Sequence, residues 1–122
     1  MCTEMRKRRK RACRNNQRLE RVGRTMLEKM KEEIELIGRH LDVARAVADH
    51  QPIGIMKLSE LLDLPAHRIR YSLHILEQLG YIRASPEGAM ATPRTLELFS
   101  HLNRDLDGLI RLLEEMKKNE DR

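Results

Sequence analysis

From Leu27 the apolar positions Leu27, Met30, Ile34, Ile37, Leu41, Ala44 and Ala48 recur at alternating spacings of three and four, the stripe of an amphipathic helix or a coiled-coil seam. Gly38 interrupts that stripe. Glycine in a helix interior costs roughly 1 kcal/mol relative to alanine, so the pattern predicts either a kink or two helices, over 17 to 37 and 39 to 49. His50-Gln51-Pro52 ends the run, because proline disfavours helical backbone in the residue before it. The short apolar run Ile53-Gly54-Ile55-Met56 predicts a brief strand or an extended entry. Helix resumes near Met56 to Leu62 and stops at Asp63-Leu64-Pro65. A third helix is predicted from Ala66 to Leu79, ending at Gly80 as a left-handed cap.

After Gly80 the period changes. Tyr81-Ile82-Arg83-Ala84, the turn-rich Ser85-Pro86-Glu87-Gly88 and Ala89-Met90-Ala91 have the layout of two short strands joined in a hairpin. Thr92-Pro93 supplies a capping hydroxyl and a proline suited to the first helical position. The last helix carries Phe99, Leu102, Leu106, Leu109, Leu113 and Met116, an a/d repeat that Leu98, Ile110 and Leu112 widen. The predicted class is mainly α with a small β-hairpin and long N- and C-terminal helices. Its segments are a basic arm (1 to 16), an N-terminal helix (17 to 37), a folded domain (38 to 92) and a C-terminal helix (93 to 122).

Residues 39 to 92 refine this reading. Leu58-Ser59-Glu60-Leu61-Leu62-Asp63-Leu64-Pro65, Ile69, Leu73, Leu76-Glu77 and Leu79-Gly80-Tyr81-Ile82 resemble the winged helix-turn-helix family of bacterial and archaeal transcriptional regulators. In that family a small residue follows the first leucine of the support helix, an aliphatic residue anchors the reading helix, and a leucine-Glu-x-x-Gly stretch leads into the wing. Pro52-Ile53-Gly54-Ile55 and Arg68-Ile69-Arg70-Tyr71-Ser72-Leu73 further resemble a group of predicted archaeal regulators. The likeness covers under half of the chain, with a pattern that many subfamilies share. It implies regulation of transcription by sequence-specific binding of double-stranded DNA, with helix 66 to 79 in the major groove and residues 38 to 92 as the DNA-binding domain.

The residues of that helix support the same expectation. Ile69, Leu73, Leu76 and Leu79 share one face at helical spacing, whereas His67, Arg70, Tyr71 and His74 share the opposite one, with Arg68 beside it. Arginine can bind guanine through two parallel hydrogen bonds, and tyrosine can donate to phosphate or pack on a thymine methyl. No acid falls on that face before Glu77. Arg68, Arg70, Tyr71 and His74 are therefore candidates for base or groove-edge contacts, and His67, Lys57 and Arg83 for phosphate. Taken singly, Arg68 and Arg70 read better as ordinary solvated helix residues and Tyr71 as packed on a neighbouring helix; taken together, with the turn in front and the hairpin behind, they favour the DNA-reading interpretation. His67 and His74 lack a Cys or carboxylate to complete a metal-ligand set. Arg83 is the only cation of the hairpin and Glu87 sits in its turn, so a weak hairpin contribution is expected.

Charge redistributes rather than strengthens this picture. The net +5 comes from residues 1 to 24, with ten Lys/Arg against two acids for a local +8, which leaves −3 for the remainder. An acidic body is repelled by DNA on average, so any nucleic-acid surface on it must be a local patch. The run Arg6-Lys7-Arg8-Arg9-Lys10-Arg11 cannot bury apolar surface and is expected to be disordered. Such an arm binds nucleic-acid backbone, binds RNA, or has no function. Cys2 and Cys13 lie within this basic stretch and read as incidental thiols, the alternative being an oxidation-sensing intermolecular disulfide. No apolar run approaches the roughly 20 residues that span a bilayer, and the expected place is cytoplasmic, with the nucleoid.

With 2% aromatic residues, no phosphate-cradling glycine loop and no nucleophile with its base, neither an enzyme, a cofactor, a metal nor a small-molecule substrate is expected. The Phe99 to Met116 stripe either packs on the Leu27 to Ile37 stripe within a chain or pairs across a twofold axis. A homodimer is favoured, since exposed stripes usually mark interfaces. A protein-interaction module within a larger assembly is the competing function, because fold does not fix function.

Overall fold

Among the described residues the chain is mainly helical with one two-stranded antiparallel hairpin: α1 (Met26–His50), α2 (Ile55–Leu62), α3 (Ala66–Gln78), β1 (Ile82–Ser85), β2 (Gly88–Ala91) and α4 (Pro93–Glu120). The computed structural model describes residues 25 to 120. The expected basic arm (1 to 16), Cys2, Cys13, positions 17 to 24 of the first helix and positions 121 and 122 lie outside the described residues. Among the described residues no helix is long and apolar enough to cross a membrane.

The chain divides into two units after Gly38. In the first, Thr25 caps the start of α1 by accepting the Glu28 N–H on Oγ1 at 3.3 Å. Leu27, Met30, Ile34 and Ile37 are exposed. Two helices parted at Gly38 are not observed, since the helical run is unbroken from Met26 to His50. The roughly 1 kcal/mol that the glycine costs is too little to break a helix of 25 residues that includes Leu36 and Arg39 beside it.

The core of the second unit gathers Val43, Ala44, Ala46 and Val47 from α1, Leu58 from α2, Ile69 and Leu76 from α3, and Ile53 and Ile82 from the extended segments. The buried arc of α1 is thus wider than the predicted stripe and rotated from it, with Leu41 and Ala48 only half-buried. Ile53 forms a single bridge to Ala89 rather than a strand, through Ile53 N–H to Ala89 carbonyl (3.2 Å) and Ala89 N–H to Ile53 carbonyl (2.8 Å). Helix α2 then starts immediately at Ile55.

The turn between α2 and α3 is closed locally. Asp63 adopts the left-handed conformation with φ 52°, the Leu64 N–H donates to the Ser59 carbonyl at 3.2 Å, and Ser59 Oγ donates to the Leu64 carbonyl at 2.5 Å. At the far end of α3, Gly80 has φ 85°. Its N–H donates to the Glu77 carbonyl (3.1 Å), and the Tyr81 N–H to the Leu76 carbonyl (2.9 Å), the paired bonds of a Schellman motif. Leu79, expected on the apolar face, caps the helix and is exposed. The chain reverses at Gly80, so Ile82 rather than Leu79 enters the core.

Strands β1 and β2 pair in the register Ile82 with Ala91 through Ser85 with Gly88. Pro86 and Glu87 form the tip, and Ser85 Oγ donates to the Gly88 carbonyl at 2.6 Å. Helix α4 begins at Pro93 as expected, but the Thr92 hydroxyl does not cap it. It turns back and donates to the Gly80 carbonyl at 2.6 Å. The Tyr81 carbonyl meanwhile accepts the Thr92 N–H at 3.0 Å and the hydroxyl of buried Thr95 at 2.5 Å. One carbonyl thus ties the end of α3, the hairpin and the start of α4 together.

Candidate nucleic-acid interface

Helix α3 is held by its back. Ile69, Ser72 and Leu76 are buried and Leu73 is half-buried against the core, while His67, Arg68, Arg70, His74, Glu77 and Gln78 are exposed. Among the described residues the side chains of His67, Arg68, Arg70 and His74 form no ion pair or hydrogen bond. The guanidinium charges of Arg68 and Arg70 are available to an external anion. Lys57 on α2 is likewise exposed and unpaired.

Arg70 and Tyr71 do not act on one flank. Successive helical residues are about 100° apart, and the structure places the two on opposite sides of the exposed face. Arg70, His74 and Glu77 line a cleft of about 550 Å³ between α3 and the hairpin, whose other walls include Ile53, Leu73, Ala84 and Glu87. Ile53, Ile55, Leu73 and Ile82 give it apolar lining, shared with Arg70 and His74 and with the carboxylates Glu77 and Glu87. Arg83, paired with Met90 across the hairpin, is exposed and lies with Nη2 3.7 Å from the Met90 sulfur. The hairpin adds little positive charge, in line with its composition.

Tyr71 stands on the other flank, against α1. The residue is 47% exposed, with the Arg39 guanidinium 5.9 Å and the His40 ring 6.0 Å from its ring centre. Beneath it the fully buried Ser72 hydroxyl receives the Arg39 Nε–H at 3.2 Å and lies 2.8 Å from His40 Nδ1. The hydroxyl has a second lone pair and one proton besides, so which of Ser72 and His40 donates in this pair follows the imidazole tautomer. Burial, then the neighbouring Arg39 charge, holds the His40 pKa below its ordinary value. Ser72 and His40 have the reach of a nucleophile and its base, but the hydroxyl is completely enclosed and accessible to no substrate.

Arg39 and His40 did not stand out in the sequence, where the α1 stripe draws attention to its apolar positions. The one signal is Ser72, a hydroxyl among the core-facing positions of α3 that needs polar partners. The expected association residues on α4 separate into two groups. Phe99 packs against the core with the Arg45 guanidinium 4.8 Å from its ring centre, and Leu102 is half-buried. Leu106, Leu109, Leu113 and Met116, together with Ile110 and Leu112, are between 40% and 57% exposed. Compared with protein-family models and with curated proteins, the sequence matches none.

Proposed function

We propose that this protein is a winged-helix regulator that binds double-stranded DNA sequence-specifically as a dimer, with α3 as the reading helix in the major groove and the β1–β2 hairpin as a weakly contacting wing. One observation carries the reading: a helix clamped to the core by Ile69, Ser72 and Leu76 presents His67, Arg68, Arg70 and His74 outward with no carboxylate pairing them. A major groove admits one helix, and unpaired arginines are suited to guanine edges and phosphates. In the proposed mechanism the exposed part of α4 joins two copies, two reading helices enter successive major grooves of a pseudo-palindromic site, and binding occludes or recruits the transcription machinery.

The test is duplex binding across salt for the full chain, for a chain lacking residues 1 to 24, and for Arg68→Ala with Arg70→Ala. The double variant is expected to lose discrimination between a selected and an unrelated duplex, and loss of the arm to lower affinity equally on both. Binding that vanishes only with the arm makes the arm the nucleic-acid element, with RNA as the next ligand to examine. No duplex binding at all favours a protein-interaction module, the reading that the exposed apolar face of α4 supports.

A further inference from the structure

We propose that Arg39, on α1, is a preset phosphate-binding arginine that, with Tyr71, grips the DNA backbone beside the reading helix. The inference rests on the DNA-binding reading above and extends it to an element outside the α2, α3 and hairpin segment.

A free surface arginine samples many rotamers and loses that freedom on binding. Arg39 is already restrained. Its Nε–H is bound to Ser72 Oγ at 3.2 Å, and the Tyr71 ring flanks its guanidinium at 5.9 Å, within the range of a cation–π contact. Ser72 has no freedom to leave, being fully buried in the back of α3. A guanidinium carries five N–H donors; committing Nε leaves both terminal nitrogens, the pair that meets two oxygens of a phosphate side by side. Among the described residues no carboxylate pairs with Arg39, although Glu35 and Asp42 are its neighbours along α1.

The half-exposed Tyr71 adds a hydroxyl donor on the same side. His40 completes the surroundings. It lies with Nδ1 2.8 Å from Ser72 Oγ, and it stays neutral more readily than an ordinary histidine because burial, and then the Arg39 charge beside it, disfavours its protonated form. The cluster therefore offers one firmly placed positive charge on the Tyr71 flank of α3, while Arg70 and His74 occupy the other flank. A helix seated in a groove runs between two phosphate backbones, and this arrangement gives α3 a cation toward each.

The full chain is titrated with a selected and an unrelated duplex across salt, as wild type, Arg39→Gln, Arg39→Lys and Arg70→Ala. Arg39→Gln is expected to weaken both duplexes by the same factor, roughly tenfold, and to reduce the slope of log affinity against log salt by about 1. Arg39→Lys retains the slope, because a point charge still meets phosphate. Arg70→Ala loses mainly the preference for the selected duplex. An Arg39→Gln protein with a lowered melting temperature and an unchanged salt slope overturns the inference, leaving Arg39 as a purely structural clamp. Wild type that binds no duplex overturns the DNA-binding reading itself. Phenylglyoxal modification of the wild-type complex is a check that needs no variant to fold: bound duplex should protect Arg39, and an unprotected Arg39 at saturation sinks the proposal.

Discussion

Gly88 lies directly against the backbone of Ile53, so that a Cβ at Gly88 would stand 2.6 Å from the Ile53 carbonyl carbon. This approach lets Ile53 and Ala89 exchange their two backbone hydrogen bonds, and it fastens the hairpin to the segment before α2. Gly88 also has φ 135°, a conformation that side chains rarely adopt. Gly88→Ala combines a backbone clash with strain, and a loss of about 2–4 kcal/mol is expected, read as a lower urea midpoint. Glu87→Ala, at the exposed tip, should stay within about 0.5 kcal/mol. Equal midpoints for the two variants would contradict the packing described.

Acidification should loosen the α1–α3 junction. His40 has a folded pKa below its ordinary 6.5, so the unfolded chain takes up the proton first and stability falls as pH drops below about 6.5 toward the lowered folded value. Above that window the contribution is fully present. His40→Gln removes the titrating group. The difference in stability between wild type and this variant should therefore change across that window and be flat above it, as followed by thermal melts at a series of pH values. A constant difference from pH 5 to 8 would contradict the assignment.

Asp63 holds a left-handed backbone between α2 and α3, which aspartate tolerates and glycine adopts freely. Asp63→Gly should be neutral or stabilising by up to about 1 kcal/mol, and Asp63→Val destabilising by about 1–2 kcal/mol. Gly108, in α4, has nothing within 4 Å of a Cβ, so Gly108→Ala should stabilise by about 0.5–1 kcal/mol through helix propensity alone. Denaturant midpoints measure all three.

If the exposed α4 face joins two copies, charges placed on it will separate them. Leu109→Glu with Leu113→Glu should shift the mass in sedimentation equilibrium from dimer to monomer while leaving helix content unchanged, since both side chains are exposed and contribute little to the core. Phe99→Ala should instead unfold part of the domain, because Phe99 packs against the core. A wild-type chain that stays monomeric at high micromolar concentration would remove association through α4.

The elements with strong local signals were legible in the sequence: the start of α4 at Pro93, the turn at Ser85 to Gly88, and Gly80 as the end of α3 each depend on a residue whose own backbone preference points one way. What escaped the pattern depends on contacts between distant positions. Thr92 has the chemistry of a helix cap, yet its hydroxyl finds the Gly80 carbonyl, a partner supplied only when the hairpin closes. Arg70 and Tyr71 fall on one broad polar face in the sequence, yet the hairpin and α1 rise on opposite sides of α3 and part them. Arg39 was invisible as a site residue because its significance comes from Ser72, whose hydroxyl is 33 positions away.

The shared Tyr81 carbonyl has a mechanical corollary. Helix α4, 28 residues long, is held through Thr92, Thr95, Phe99 and half-buried Leu102, and its remaining turns to Glu120 extend roughly 27 Å at 1.5 Å per residue. Rocking that lever by one degree swings its tip about 0.5 Å over that length, so a slight rearrangement at the held end is magnified at the opposite extremity of the rod.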